Sequence, residues 1–254
     1  GNNFGGMAVQ PLLAFLIVFF SWKVGYGGLG ILGLMVAVLC FSIVRNPSFI
    51  KSDGSGFENK NSIVTGYTLS QALKTKLFYS ILIASVCGGF TYSALLPQVY
   101  PHLILNGINE ATASLSVTVF ATFGMIGKFI LGAFSDKYGP RLALIIDLIG
   151  QSVCVCLMVY AGNEIPLWII VPSMGFFLGA FGALYQLIVI ESFGVKYFGS
   201  IMGIISVAHA IPSFTGPLVA GLSYDSTDAY GLAFFTTGVL FAIGALSLIV
   251  AGQS

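Results

Sequence analysis

Lys128, Asp147 and His209 are ionisable side chains set inside long apolar runs of a 254-residue chain. Such groups are costly in a low-dielectric interior and usually face a cavity, a partner or a ligand. His209 lies about eleven residues into its run, roughly 16 Å at 1.5 Å per residue, near the midplane of a bilayer. An imidazole there reads either as a group that meets an anionic solute or as a neutral ring hydrogen-bonded between helices. Lys128 precedes Asp136 by eight residues, roughly 12 Å from the end of its run, so it either reaches a bound anion or snorkels to the interface. Asp147 sits roughly 9 Å deep on the following helix, nearly level with Lys128. An ion pair between them is geometrically open, as a structural link or as a proton-sensitive switch. Tyr92, Tyr185 and Gln186 present polar tips inside apolar stretches and suit the lining of a solute path as well as ordinary packing. The chemistry these residues describe is binding without covalent change. An intramembrane enzyme would need a nucleophile facing a base, and His209 has neither a Ser in a nucleophile-elbow context nor a second His four residues on.

The elements that carry these residues must be membrane helices. Hydrophobic residues make up 57% of the chain and charged residues 7%, against roughly 25% charged in a soluble domain. A water-soluble globule is thereby excluded, and runs without polar alternation exclude an outer-membrane barrel. The net charge is +1 with no basic tract, so nucleic acid is not an expected partner. Cys40, Cys87, Cys154 and Cys156 all lie in apolar runs. Reduced thiols packed in helices are expected, with no disulfide framework, metal site or cofactor. A spanning helix needs about 20 largely apolar residues. About eight segments qualify, near 1–20, 24–44, 77–99, 112–134, 141–161, 166–190, 198–222 and 231–251.

The sequence therefore predicts an all-α membrane protein with helical blocks at 1–44 and 77–254. The polar stretch 45–76 between them contains Asp53 and Glu58 and ends in Lys74 and Lys76. It reads as a mobile linker with a short amphipathic helix near Thr68 to Lys76, whose Leu69, Ala72 and Leu73 share a face. With no initiator Met and no charged leader, the chain reads as a fragment whose N-terminal part is missing. Basic residues in short loops accumulate on the cytoplasmic side. A cytoplasmic linker puts Arg45, Lys51, Lys60, Lys74, Lys76, Lys137, Arg141 and Lys196 inside, eight of the ten basic residues, with Lys23 outside and Lys128 within the membrane. Glu110, Glu164, Asp225 and Asp228 then lie outside, and Trp22, Tyr100, Trp168 and Tyr230 fall at the levels of an interfacial aromatic belt.

Gly25 to Gly30 and Gly28 to Gly33 both fit G-x-G-x-x-G, but a dinucleotide turn needs a preceding strand and a βαβ unit. Small residues in a span instead let helices pack closely. Gly175-x-x-x-Gly179, Gly199-x-x-x-Gly203 and the pair Gly124 and Gly127 read the same way. The most specific pattern is Gly132-Ala-Phe-Ser-Asp136-Lys137-Tyr138-Gly139-Pro140-Arg141, a short basic turn between two apolar helices. Here Gly132 is expected to let helices approach, Asp136 to meet a neighbouring helix N-terminus, and Lys137 and Arg141 to anchor the cytoplasmic face. Glu191, at the end of its helix, is placed to pair with Lys196 or Arg141 in a closed inner gate.

This turn resembles the G-x-x-x-D-[RK]-x-G-x-[RK] signature of the major facilitator superfamily. Its place in the second of three helices matches the copy found in that superfamily's C-terminal half. Gly5-Gly6, Pro11 and Ser21-Trp22-Lys23 resemble the fifth facilitator helix and its end. Gly216-Pro217-Leu218 with Gly221-Leu-Ser-Tyr-Asp225 resembles the end of helix eleven in the oxalate/formate antiporter and monocarboxylate transporter branch. Ser21 in place of the usual Gly, and Pro140 in the basic turn, depart from these patterns.

The resemblance implies that 1–44 are the last two helices of an N-terminal six-helix half and that 45–76 join the halves. Residues 77–254 would form a C-terminal half of two inverted three-helix repeats, completed by missing N-terminal helices of the same protein. It further implies a multi-pass protein of the cell membrane that moves a small organic anion, such as a monocarboxylate, by alternating access, with proton coupling open. Lys128 and His209 would be its anion-binding pair, His209 standing where oxalate/formate antiporters often have Lys. A carrier of a sugar, drug or amino acid, or a non-transporting sensor or scaffold of the same fold, is the alternative.

Overall fold

The computed structural model describes residues 21–43, 66–160 and 164–251. The expected first span, 1–20, and most of the polar linker lie outside these residues. Two compact units divide between Ile63 and Val64. The described part of the first unit is one helix, α1 (Trp22–Ile43), in which Gly25 is buried. A Cβ added at Gly27, Gly30 or Gly33 would meet nothing within 4 Å. The close packing expected of that glycine stripe is therefore not made among the described residues.

The second unit runs α2 (Leu69–Ala72), α3 (Lys76–Phe90), a π-helical turn (Thr91–Leu95), α4 (Leu96–Leu105), α5 (Glu110–Tyr138) and α6 (Pro140–Met158), then α7 (Glu164–Phe193), α8 (Phe198–Ala208), α9 (Ala210–Thr227) and α10 (Gly231–Ala251). The segments from α3 to α4 make one span, Lys76–Leu105, and α8 with α9 make another, Phe198–Thr227. Among the described residues seven helices are long and apolar enough to cross a membrane. Local chemistry sets their ends. Thr68 and Gln71 form a capping box at α2, Thr75 accepts the Phe78 N–H at 3.2 Å to start α3, and Asn109 accepts that of Thr112 at 2.8 Å to start α5. Each side-chain oxygen satisfies a backbone donor that a helix start leaves over. Gly139, at φ 89°, ends α5 and leads into α6, a conformation that favours glycine. Pro140 then takes the first helical position, where no N–H is needed, so its departure from the signature is compatible with the turn.

The end of the polar linker differs from expectation. Gly66 bridges antiparallel to Gly194, the Tyr67 N–H donates to the Phe193 carbonyl at 2.9 Å, and the two rings stand 5.9 Å apart. Ala72 is buried, with Leu69 and Leu73 packed against the core. The predicted apolar face is used, but on a four-residue helix, because Thr75 stops one helix and caps the next. Residues 66–75 are thus held on the α7–α8 turn rather than free.

The tightest packing is glycine on backbone. A Cβ at Gly127 would lie 1.8 Å from the Phe176 carbonyl oxygen, one at Gly179 1.8 Å from that of Gly124, and one at Gly175 2.3 Å from that of Phe120. Helices α5 and α7 therefore cross through the two glycine pairs expected to pack. Gly199 and Gly203 meet nothing within 4 Å, so the same pattern there makes no such contact among the described residues. Ser152 Oγ donates to the Gly238 carbonyl at 2.7 Å, joining α6 to α10. Ser80 and Ser247 exchange hydroxyl-to-carbonyl bonds between α3 and α10. Phe78, Phe181, Phe234, Phe241, Leu144 and Leu148 fill the core between these contacts.

Candidate functional site

His209 stands between two helices. α8 ends at Ala208 and α9 begins at Ala210, and Pro212 has no N–H to offer the Ala208 carbonyl. The His209 carbonyl instead accepts from Ser213, whose N–H lies at 3.2 Å and whose hydroxyl at 2.8 Å. On the ring, Nε2 lies 2.9 Å from the Ser85 carbonyl oxygen and 2.8 Å from Ser85 Oγ. A carbonyl only accepts, so Nε2 carries a proton and donates. Nδ1 has no partner among the described residues. The Tyr185 ring sits 5.5 Å from the imidazole. A Cβ placed on Gly182, three residues earlier on α7, would lie 3.6 Å from the Tyr92 hydroxyl. Gly89 gives the broken segment room, since a Cβ there would come within 2.7 Å of Pro212 Cγ.

The π-helical turn, α7 and the α8–α9 break thus bring Tyr92, Tyr185 and His209 into one run of neighbours. Gln186 is exposed and makes no hydrogen bond among the described residues. Lys128 is half-buried on α5 and, among the described residues, forms neither a hydrogen bond nor an ion pair with Asp147 or His209.

The pairing expected for Asp147 is replaced by another. Gln151, one turn on, donates Nε2–H to Asp147 Oδ2 at 2.6 Å, and Thr91 Oγ donates to Gln151 Oε1 at 3.0 Å. All three residues are fully buried, and Asp147 Oδ1 has no partner. The Asp147–Gln151 spacing of four residues is a readable signal for such a bond. Thr91 has no comparable signal, because its role depends on how the π-helical turn meets α6. Depth along a helix, which suggested the Lys128 pair, says nothing of the direction in which a side chain points. His102 is likewise buried. Its Nε2 donates to the Met158 carbonyl at 3.1 Å and its ring lies 4.7 Å from that of Phe234. A second histidine in an apolar run was its sequence signal.

At the α5–α6 turn the signature residues gather around Gly139, with different partners from those expected. Asp136 is exposed and bonds to no helix N-terminus among the described residues. A Cβ on Gly132 would meet nothing within 4 Å, so no helix approaches there among the described residues. The Arg141 guanidinium donates to the Leu248 carbonyl, in the last turn of α10. Glu191 Oε1 lies 3.9 Å from where a Gly139 Cβ would be, yet makes no ion pair with Arg141 or Lys196 among the described residues. Lys137 and Lys196 instead lie over the rings of Tyr138 and Tyr197, at 5.1 Å and 5.4 Å.

Residues 81–252 match the family model described as Major Facilitator Superfamily. Monocarboxylate transporter 12-B of Danio rerio is 24% identical over 291 residues, covering 98% of this chain and 58% of the relative. Monocarboxylate transporter 12 of Homo sapiens is 24% identical over 271 residues, covering 94% and 52%. The hexuronate transporter of Bacillus subtilis (strain 168) is 22% identical over 262 residues, covering 98% and 62%. The chain therefore spans between half and two thirds of the length of these relatives. A family match over most of the second unit, with seven apolar spans and the Asp136 signature at the α5–α6 turn, shows that this multi-pass integral membrane protein belongs to the Major Facilitator Superfamily.

Proposed function

We propose that the intact gene product is a secondary transporter that moves a small organic anion, such as a monocarboxylate, by alternating access. In this reading 1–44 belong to an N-terminal half, 45–76 join the halves, and 77–254 form a C-terminal half of inverted repeats. The observation that carries the proposal is His209, held through Nε2 at a helix break with Nδ1 left open beside Tyr185. A proline-interrupted helix ladder at membrane depth, with a carbonyl left without its helical donor, marks solute sites in many carriers. Lys128 supplies a second basic side chain from α5, and a carboxylate held between the two basic residues would complete a pair that does not touch without it. The hexuronate transporter is by its name a carrier of a sugar acid. The chemistry shared with a monocarboxylate is the carboxylate, not a carbon skeleton.

Proteoliposomes holding the intact gene product should take up radiolabelled pyruvate, lactate or glucuronate in preference to glucose. Uptake of glucose alone would point to a different solute class. Stabilisation by a carboxylate without any flux would point to a sensor.

Two further expectations attach to this reading. Single cysteines at Lys60, Lys137 and Lys196 in a cysteine-free background should be labelled from the cytoplasm, and those at Glu110, Glu164 and Asp228 from outside. Labelling of position 60 from outside intact cells would reverse the topology. Asp136→Asn should leave the protein in the membrane and lower the maximal rate of uptake, because an exposed residue at the α5–α6 turn serves the gate rather than the solute. Normal turnover with a large loss of affinity would place Asp136 in the binding site instead.

A further inference from the structure

Asp147 has no part in the anion site, yet it is the described residue whose burial most needs a reason. It is fully buried, one oxygen accepts a single hydrogen bond, and the other has no partner. Burying a carboxylate charge with so little compensation is costly, and a carboxylic acid at the same place is not charged. Titratable side chains on the elements around it are Tyr92 on the π-helical turn, Glu164, Tyr185 and Glu191 on α7, Glu110, Lys128, Asp136, Lys137 and Tyr138 on α5, and Arg141, Cys154 and Cys156 on its own helix. α10 carries none. Among the described residues none of these bonds to Asp147, and Arg141 is committed to Leu248.

Resting on the transport reading, we infer that Asp147 is the proton-binding site of the carrier, opened and closed by the π-helical turn Thr91–Leu95. A proton fits the site and a metal cation does not. Hard cations need about six or more oxygens. Here the Gln151 oxygen is taken by Thr91 and its nitrogen faces Oδ2. No group of three His, Cys, Asp or Glu residues is gathered among the described residues.

The route of opening is also visible. Thr91 begins the π-helical turn and holds Gln151, and the Leu96 N–H bonds back to the Thr91 carbonyl. Pro97 has no N–H for the Ser93 carbonyl, which leaves this segment a loosened ladder of a kind often found at functional sites. α9, the helix that follows His209, rests directly on it. A Cβ at Gly216 would lie 2.4 Å from Ser93 Oγ and 3.1 Å from the Ala94 nitrogen. A solute that moves the α8–α9 break therefore presses on the turn whose Thr91 holds Gln151 against Asp147. In one access state the Asp147 carboxylate takes a proton from hydronium, leaving water. In the other the carboxylic acid returns it to water, so one proton travels with one carboxylate and no net charge crosses.

The test uses the intact gene product in proteoliposomes with radiolabelled pyruvate. For one proton per anion, a gradient of about one pH unit, acid outside, should drive roughly tenfold accumulation. Asp147→Asn should abolish that accumulation and keep pyruvate counterflow, which needs no net proton movement. Thr91→Val, which leaves the carboxyl in place, should weaken the response to the gradient. Infrared difference spectra between acid and alkaline buffer, recorded without solute, should show a carboxylic C=O band that Asp147→Asn removes. Gradient-driven accumulation in Asp147→Asn equal to wild type, or no response to the gradient in wild type, would overturn the inference. If Asp147→Asn does not fold, an unchanged gradient response in Thr91→Val overturns it. If wild type carries no pyruvate, lactate or glucuronate, the transport reading fails on its own, and a spectrum lacking the Asp147 band removes the proton site as well.

Discussion

Gly179→Ala is expected to leave little correctly folded protein and to lower the melting temperature of what remains by at least about 5 °C. The added methyl would sit 1.8 Å from the Gly124 carbonyl oxygen, where no real Cβ is found. The obstacle is the α5 backbone, so it cannot swing away as a side chain would. Relief requires α5 and α7 to separate along a crossing where Gly127, at 1.8 Å, and Gly175, at 2.3 Å, also leave no room for a Cβ. Overpacking a core costs about 1–3 kcal/mol and more where nothing can yield. In a bilayer the loss is not offset by hydrophobic association, because lipid is as apolar as the helices and close contact at small residues is what holds them together. Gly203→Ala is the matched control. Among the described residues nothing lies within 4 Å of its Cβ position, and alanine in a helix interior is favoured over glycine by roughly 0.5–1 kcal/mol. Fluorescence-detected size exclusion after graded heating would compare the two. Equal melting of Gly179→Ala and wild type would mean that the helices do not cross as described.

Those two glycines also mark how far the sequence could be read. Gly175, Gly179, Gly124 and Gly127 share a pattern with Gly199 and Gly203, yet among the described residues only the first four take part in a contact of glycine with backbone. A run of small residues says that a helix can be approached, not that a partner stands there. The spans were legible because 20 apolar residues have few other uses, and Phe198–Thr227 and Gly231–Ala251 begin where the runs of apolar residues do. Their far ends were less so. Lys76–Leu105 continues past residue 99 because Pro97 enters at the start of α4, where proline is tolerated, and does not stop the span. The break at His209 was foreshadowed by Pro212. Pro97 marked a loosened ladder at the π-helical turn in the same way, but nothing in the sequence named Gly216 as the residue packed on Ser93 there. At the α5–α6 turn the motif located the residues and failed on their partners, for Arg141 found a helix-end carbonyl that no spacing rule names.

Lys128→Gln is expected to weaken carboxylate binding by roughly 30-fold at every pH, the equivalent of about 2 kcal/mol for a hydrogen bond to a charged group. An amide cannot stand in for the basic group of Lys128, whereas Lys128→Arg keeps a basic side chain and should lose much less, although a planar guanidinium donates in a different geometry. His209→Gln should behave differently. Its Nε2 is already committed to Ser85, so a solute reaches the ring through Nδ1, the atom whose protonation decides whether the imidazole is charged. Histidine is the side chain whose charge ordinarily changes between about pH 5 and 8. Glutamine can still donate toward Ser85 but cannot titrate, so the affinity of His209→Gln should lose its dependence on pH near neutrality. Accumulation driven by a proton gradient should survive in that variant, because the travelling proton is assigned to Asp147. Affinity and driving force would then separate onto two residues, one that sits at the helix break and one that is tied to the π-helical turn through Gln151 and Thr91. The measurement is the concentration dependence of carboxylate uptake across pH for wild type and the three variants at matched expression. Wild-type affinity and a wild-type pH profile in both glutamine variants would show that Lys128 and His209 are structural, and the anion site would have to be sought elsewhere.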